Sequence, residues 1–137
     1  MAQLAALPWR RGRHPNDTRF YKQVQGTDQA CKLAKQYGVK VALGTDIQFN
    51  PKDVERESFY LPKLTRLYRP AEALKMATHD KAQLLAMSGP RNPYPGKLGV
   101  VEEGVLADLL VVDGDPLTNI KLLEDPTKNH VVIMKDG

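Results

Sequence analysis

Residues 26–46 read GTDQACKLAKQYGVKVALGTD, and this stretch decides the predicted fold. In its first half, apolar side chains recur at helical spacing, with Thr27 or Asp28 as the expected N-cap and Gly38 as the expected stop. The next five residues, VKVAL at 39–43, are apolar and rich in β-branched side chains, as in a buried strand. A helix followed at once by a buried strand predicts an α/β unit with parallel strands.

Asp46 is the candidate site residue, because it follows the predicted strand directly in the sequence Gly44-Thr45-Asp46. Parallel α/β folds place their chemistry at the carboxyl ends of strands. A carboxylate at such a point is suited to bind a divalent metal or to take a proton from a metal-bound water. An aspartate there is equally suited to cap the turn that follows. The residue pattern alone leaves both interpretations open.

The histidines do not predict a complete zinc site. A catalytic zinc ion commonly needs three protein ligands, and His14, His79 and His130 are far apart in the sequence with no HxH or HExxH spacing. We expect His79 to face solvent or the adjoining helix cap.

Composition and charge narrow the class of protein. The 137 residues are 42% hydrophobic and 26% charged, as in a globular domain. Cys31 is the single cysteine, which excludes an internal disulfide and favours a cytoplasmic location. No apolar run is long enough to span a bilayer, so we predict a soluble protein that does not bind membranes. Residues 1–24 carry five basic side chains against one acidic one, but a short basic segment without a folded reader makes nucleic-acid binding an unfavoured interpretation.

The rest of the chain changes from helical to extended patterns near residue 95. Asp113 and Asp115 are interpreted as turn formers, and Thr78 as the cap of the helix that follows it. Helices are predicted around residues 59–68, 70–77 and 80–87, strands in LGVVEEG (98–104), ADLLVVDGDP (107–116) and HVVIMKDG (130–137), and a short helix or turn in PLTNIKLLEDP (116–126).

Four segments, VKVALGTD, PAEALKMAT, KLGVVEEGVLADLLVVDGDPL and VVIMKDG, together resemble the closing portion of the metal-dependent amidohydrolase superfamily. The likeness is nearest to its imidazolonepropionase-like and prolidase-like members and covers residues 24–137. The resemblance implies an α/β fold in which residues 25–94 form the last strand-helix units of a TIM-type β/α barrel. Residues 95–137 would supply strands of the flanking composite β-sandwich, and residues 1–24 an irregular basic lead-in.

The same resemblance implies a function and a site. In the family, the aspartate of the Gly-Thr-Asp motif, here Asp46, binds zinc or a similar divalent metal and acts as general base and acid in the hydrolysis of C–N bonds in amides, cyclic amides or peptides. The family's HxH pair, lysine and later histidines lie on strands that this chain does not contain. We therefore expect a C-terminal part that is incomplete and inactive alone, needing a homo-oligomer or a missing N-terminal portion.

The alternative is a non-catalytic structural or interaction module that oligomerises through exposed barrel edges. A further departure is Arg69, which stands where relatives carry a Ser or Thr cap before Pro-Ala-Glu, and which predicts a weaker helix start. The family likeness gives Ala107, Asp108 and Leu109 a structural role in the strand of the sandwich.

Overall fold

A computed structural model describes residues 18–45, 51–54 and 57–137. The chain divides into two compact units, Met1–Val39 and Lys40–Gly137. Within the described part, no helix combines the length and the apolar character that a bilayer crossing requires. The predicted boundaries after residues 24 and 94 stay predictions.

The described residues form helices and two strands. The α-helices are α1 (Thr18–Gln36), α2 (Pro51–Val54), α3 (Tyr60–Lys63), α4 (Pro70–Ala77), α5 (His79–Ala86) and α6 (Pro126–Asn129). The 3₁₀ helices are Glu57–Phe59, Leu64–Arg66, Gly89–Arg91 and Ile120–Glu124, and the strands are β1 (Leu109–Val112) and β2 (His130–Met134).

Helix α1 ends where the sequence predicts but starts earlier. Gly38 has a φ of 64°, and the Val39 amide donates to the Ala34 carbonyl at 2.8 Å, which closes the helix in a Schellman motif. The expected N-cap at Thr27 or Asp28 is wrong, because the helix already runs through both residues from Thr18. Once a helix has formed, each further residue adds a hydrogen bond, so an interior glycine costs only about 1 kcal/mol and does not stop it.

The predicted strand at residues 39–43 does not form a sheet ladder in the structure. These residues carry neither helix nor strand geometry, although the Leu43 amide donates to the Met76 carbonyl at 3.1 Å. A strand is stabilised by hydrogen bonds to a neighbouring strand. Among the described residues the sheet consists of β1 and β2, which pair with each other, so nothing there offers residues 39–43 a parallel partner.

The helices predicted after residue 59 are confirmed, with local changes of geometry. Pro62 lies inside the first of them, and the chain there passes from 3₁₀ to α and back to 3₁₀ geometry between Glu57 and Arg66. Proline lacks the amide hydrogen that a regular helix needs, so a tighter mixed helix is expected around it.

Helix α4 begins soundly in spite of Arg69. The Arg69 backbone amide donates to Oε2 of Glu72 at 2.7 Å, which is the reach-back half of a capping box, and Pro70 fits the first helical position. The predicted cap at Thr78 is wrong, because its hydroxyl donates backward to the Leu74 carbonyl at 2.9 Å and accepts nothing from α5.

The core of the second unit lies between α4 and the 3₁₀ helix Ile120–Glu124. Ala73 is fully buried, and Ile120 and Leu123 are nearly so. Burial of apolar side chains stabilises the fold by about 25 cal/mol per Å² of apolar surface, so this cluster fixes the relative position of the two helices. The partly buried side chains around it are Leu61, Leu64, Leu74 and Val112.

The two C-terminal strands form the predicted sheet, whereas LGVVEEG does not join it. Strands β1 and β2 pair antiparallel, with Leu110 opposite Ile133 and a register shift between Val111 and Val112. Residues 98–104 contain bends and turns in place of the predicted strand. Gly99 and Gly104 both have a φ of 80°, a left-handed backbone that interrupts an extended segment.

Two aspartates in this part of the chain form structural hydrogen bonds, and the turn-former prediction is confirmed for Asp115. Asp115 accepts from the Leu117 amide at 2.8 Å and from the Thr118 hydroxyl at 2.7 Å. Asp108 accepts from the Asp136 amide at 2.9 Å and from Lys135 Nζ at 3.2 Å, which ties the start of β1 to the end of β2. The backbone bond from Asp136 is the main cause that lowers the pKa of Asp108.

Candidate active site

The candidate site is the end of the segment 40–45, which leads directly to Asp46 in the sequence. Three hydrogen bonds connect this segment to the helices of its unit. Leu43 contributes the backbone bond to Met76 in the last turn of α4, and Met76 is buried. Because Ala73 of α4 is fully buried in the core, this bond connects the segment to a helix that packs in the core.

Thr45 supplies the bond nearest to Asp46. Its hydroxyl Oγ1 donates to Oε1 of Glu57 at 2.9 Å. Glu57 opens the 3₁₀ helix Glu57–Phe59, and the carboxylate is a strong acceptor for a hydroxyl donor. The bond therefore joins Thr45, which precedes Asp46 in the sequence, to Glu57, which follows it.

Lys40 supplies the third bond and begins a chain of polar side chains along α5. Its Nζ donates to Gln83 Oε1 at 3.0 Å, and Gln83 Nε2 lies 3.1 Å from His79 Nε2. His79 Nδ1 lies 3.0 Å from Asp80 Oδ1, and Lys75 also bonds to that oxygen. Asp80 can only accept, so the consistent assignment places a proton on His79 Nδ1 and makes Nε2 the acceptor.

Electrostatic interactions strengthen this row of hydrogen-bonded side chains at Asp80. The hydrogen bond from Lys75 is the largest cause that lowers the pKa of the Asp80 carboxyl, followed by the bond to His79. The carboxylate therefore stays ionised and continues to orient His79. This arrangement is a scaffold for α5 and the start of the segment 40–45, and both ring nitrogens of His79 are engaged within it.

Of the three histidines and Asp46, the structure describes His79 and His130. Asp46 and His14 lie outside the described residues. His79 is engaged with its neighbours on α5. His130 opens β2, and its two ring nitrogens are buried with no hydrogen-bond partner among the described residues.

The described residues do not by themselves fit a metal ion. Across residues 18–45, 51–54 and 57–137, no three His, Cys, Asp or Glu side chains come close enough to share one. A catalytic zinc ion commonly takes three protein ligands. A metal role for Asp46 thus needs ligands beyond this set.

Sequence reasoning missed Glu57 and Gln83 as partners of the segment 40–45. Their bonds to Thr45 and Lys40 join residues 12 and 43 positions apart. No local pattern reports such a pairing. The signal in the sequence is limited to a lysine inside the predicted strand and a threonine shortly after it.

A separate cleft of about 230 Å³ lies beside α5. Its lining is mainly apolar, and its polar members His79, Gln83, Asn92 and Lys97 already have partners within the protein. A ligand there would have to compete for each of them, so the cleft adds no functional group to the candidate site.

Comparison with known proteins points to one family. The sequence model of the amidohydrolase family matches residues 20–137. A candidate aminohydrolase of Methanothermobacter thermautotrophicus is 34% identical, in an alignment covering 74% of this chain and 26% of that protein.

Solved structures agree with this match. A crystal structure of an amidohydrolase is 32% identical with a TM-score of 0.65, over 80% of this chain and 24% of that one. A crystal structure of a prolidase complexed with N-methylphosphonate-L-proline is 26% identical with a TM-score of 0.66, over 80% of this chain and 25% of that one. The chain thus spans about a quarter of the length of the relatives that it matches.

Proposed function

Because the chain belongs to the amidohydrolase family, we propose that it is the C-terminal part of a metal-dependent hydrolase of C–N bonds, with Asp46 as its contribution to the active site. The family assignment carries the hydrolase class. The role of Asp46 is supported by its place after the Gly-Thr pair, at the end of a segment with three hydrogen bonds to the surrounding helices.

Asp46 has two parts in the proposed chemistry. Its carboxylate would be one ligand of a zinc or similar divalent ion, which would activate the attacking water, and the same carboxylate would accept the proton of that water. It then returns that proton to the leaving nitrogen, which departs as an amine. Both tasks require that the carboxylate be held in place, because proton transfer needs donor and acceptor atoms within about 2.6–3.2 Å of each other.

The relatives favour one substrate class as the first to test. One similar structure is a prolidase whose ligand contains L-proline, so peptide bonds to the proline nitrogen are the first candidates. Amides and cyclic amides remain within the same reaction type.

We further propose that the chain is incomplete as a catalyst. Its described residues lack a metal ligand set, and the chain corresponds to about a quarter of each similar protein. Activity would need partner ligands from a second copy or from an N-terminal portion. A cytoplasmic setting is part of the same proposal.

A hydrolysis assay tests this proposal. The purified chain is incubated with an acyl-proline dipeptide and excess zinc, together with Asp46→Asn and the exposed-site control Asp113→Asn. We expect no turnover above the metal blank for any of them. Turnover that Asp46→Asn abolishes would contradict incompleteness but support Asp46, whereas turnover that Asp46→Asn retains would contradict the role of Asp46.

A second candidate function is the non-catalytic interaction module. The observation that favours it is the ribbon of β1 and β2, where Leu110 and Ile133 are 55% and 67% exposed. Val111 and Val132, paired on the opposite face, are 48% and 39% exposed. Exposed apolar faces on a two-stranded sheet favour association with another sheet. The ribbon lies in the predicted sandwich segment and not at the predicted barrel edges.

A further inference from the structure

We propose that Asp113 and Gly114 form a modification site, at which the folded chain converts its aspartyl linkage into an isoaspartyl one without an enzyme. The pair follows β1 directly in the sequence, and neither Asp46 nor a metal ion takes part in the reaction. Three features of the fold favour the conversion. They concern the Asp113 carboxyl, the Gly114 amide and the backbone geometry at position 114.

The reaction is a condensation followed by a hydrolysis. The Gly114 backbone nitrogen attacks Cγ of the Asp113 carboxyl, an N–Cγ bond forms, and the carboxyl hydroxyl leaves with the amide proton as water. Water then adds to either carbonyl of the five-membered succinimide and breaks one of its two C–N bonds. Breaking the bond to Cγ restores aspartate. Breaking the bond to the main-chain carbonyl carbon leaves the chain linked through Cγ, so isoaspartate has the same mass as the starting chain.

The Asp113 carboxyl is free to turn toward the amide that follows it. Asp113 is exposed, and among the described residues its side chain has neither a hydrogen bond nor an ion pair. The nearby Asp115 differs, because its carboxylate accepts from the Leu117 amide at 2.8 Å and from the Thr118 hydroxyl at 2.7 Å. Pro116 follows Asp115 and has no amide hydrogen to lose. In this turn, Asp113 is therefore the aspartate that can react.

Gly114 supplies an accessible nucleophile. Gly114 is exposed, and its amide donates to no acceptor among the described residues. Glycine has no Cβ to obstruct the approach of the preceding carboxyl. The fold also disfavours a bulkier residue here, because the φ of Gly114 is 117° and a Cβ would lie 2.8 Å from Leu122 Cδ1. The residue that makes the linkage reactive is thus the one that the backbone requires.

The product changes the connection between β1 and the core. An isoaspartyl linkage adds one carbon to the main chain between residues 113 and 114. On one side of it, the Asp113 amide donates to the Asn129 carbonyl at 2.8 Å. On the other side, the turn at Asp115 leads to Ile120, which is buried. Because both sides are held by these contacts, we expect the longer connection to lower the free energy of unfolding.

Asp136 and Gly137 offer a comparison within the same chain. They form the same pair of residues, but the Asp136 carboxylate bonds to Lys135 Nζ, and the Asp136 amide donates to Asp108 Oδ1 at 2.9 Å. The bond to Lys135 has to break before the Asp136 carboxyl can turn to the Gly137 amide. An exposed ion pair of this kind slows such a step about fivefold.

Peptide mapping of the full chain after long incubation at neutral pH, folded or in urea, tests the inference. Cleavage after Glu103 and Glu124 releases the peptides 104–124 and 125–137, each with one Asp-Gly pair. Chromatography and fragmentation distinguish isoaspartyl from aspartyl peptides. For each pair, the rate in urea divided by the rate in the folded chain measures protection by the fold. We expect a ratio below about two at Asp113 and about five at Asp136.

A ratio at Asp113 that equals or exceeds the ratio at Asp136 would overturn the inference. Two variants check its chemistry and its structural basis. Asp113→Glu keeps the charge but needs a six-membered ring, so we expect no isomer in peptide 104–124 above the level from its other aspartates. Lys135→Met removes the partner of Asp136 and should speed conversion there about fivefold without changing Asp113. An isomer at the glutamate, or an equal change at both pairs, would contradict the assignment.

A third variant follows from the same intermediate. Asp113→Asn forms the succinimide with loss of ammonia in place of water, and ammonia is the easier leaving group, so this variant should convert faster than the parent. Where it serves as a control, it is therefore used freshly purified. Conversion no faster than in the parent would contradict the succinimide route.

The effect on the turn is read from urea denaturation of the incubated chains. We expect the midpoint of the parent to fall in proportion to its isoaspartate content at position 113, and that of Asp113→Glu to stay unchanged. A parent that gains isoaspartate at position 113 and keeps its midpoint would overturn the effect on stability.

Discussion

Gly99 lies where the backbone passes close to the start of α5. A Cβ at this position would lie 2.7 Å from the Thr78 carbonyl oxygen and 2.8 Å from the Ala82 Cβ, and the φ of Gly99 is 80°. We expect Gly99→Ala to lower the free energy of unfolding by about 3 kcal/mol, from backbone strain and overpacking together. Urea denaturation followed by circular dichroism measures this change.

Gly104 is the matched control for that substitution. It has the same φ of 80°, but a Cβ there would meet nothing within 4 Å. Gly104→Ala should cost only the strain of the left-handed backbone, about 1 kcal/mol. Equal losses in the two variants would show that the close approach to α5 contributes nothing.

Asp46 and Glu57 differ in what a sequence can reveal about a residue. Asp46 was proposed from its position after a predicted strand and from a family motif, and it lies outside the described residues. Glu57 lies in a polar stretch of sequence without any periodic signal, and its bond to Thr45 is visible only in the folded chain. Pairings across such distances depend on how helices pack, which local pattern does not encode.

At the scale of elements, the sequence predicts best where local chemistry decides. Helix α4 was predicted with its exact bounds, because Pro70 fits the first helical position and the apolar spacing matches a buried face. The strand prediction for residues 98–104 is wrong. An apolar run forms a strand only if a neighbouring strand is available and if its glycines do not turn the backbone. The strand prediction for residues 39–43 is wrong for a similar reason, because the described residues contain no partner strand for them.

The turn after β1 has a pH dependence that follows from Asp115. The Thr118 hydroxyl is the main cause that lowers the pKa of Asp115, and the Leu117 amide adds to it. A carboxyl whose pKa is lowered by folding stabilises the folded chain above its ordinary pKa. That contribution is lost as the pH falls through the lowered pKa.

Asp115→Asn isolates this effect, since asparagine keeps an acceptor oxygen but does not titrate. We expect its urea midpoint to fall less than that of the parent between about pH 5.5 and about pH 2.5, a window that covers the ordinary aspartate pKa. Asp113→Asn, in the same turn, is the control. An acid-induced loss identical in the parent and in Asp115→Asn would contradict the assigned hydrogen bonds.

At the scale of the whole molecule, the exposed ribbon of β1 and β2 predicts self-association. Ile133 is 67% exposed and lies opposite Leu110, so a charge there should oppose the burial of this face against a second copy. We expect light scattering to give the parent a mass of at least two 15.3 kDa chains, and Ile133→Lys a lower mass.

The control for this experiment is Thr127→Lys, an exposed position on α6 and outside the two strands. It adds the same charge outside the paired strands and should leave the mass unchanged. A monomeric parent would remove the basis for the interaction module. A mass that Ile133→Lys leaves unchanged would place the association elsewhere on the molecule.

The central claim is that Asp46 serves as a metal ligand, and a zinc titration followed at the Thr45 amide by NMR tests it most directly. Thr45 precedes Asp46 directly in the sequence, so its amide signal should respond to an ion at that carboxylate. A weakly bound ion exchanges fast, so binding by a single carboxylate shifts the signal gradually as zinc is added. We expect the Thr45 signal to shift with zinc in the parent and in Asp113→Asn, but not in Asp46→Asn. The same zinc-dependent shift in Asp46→Asn would contradict the claim.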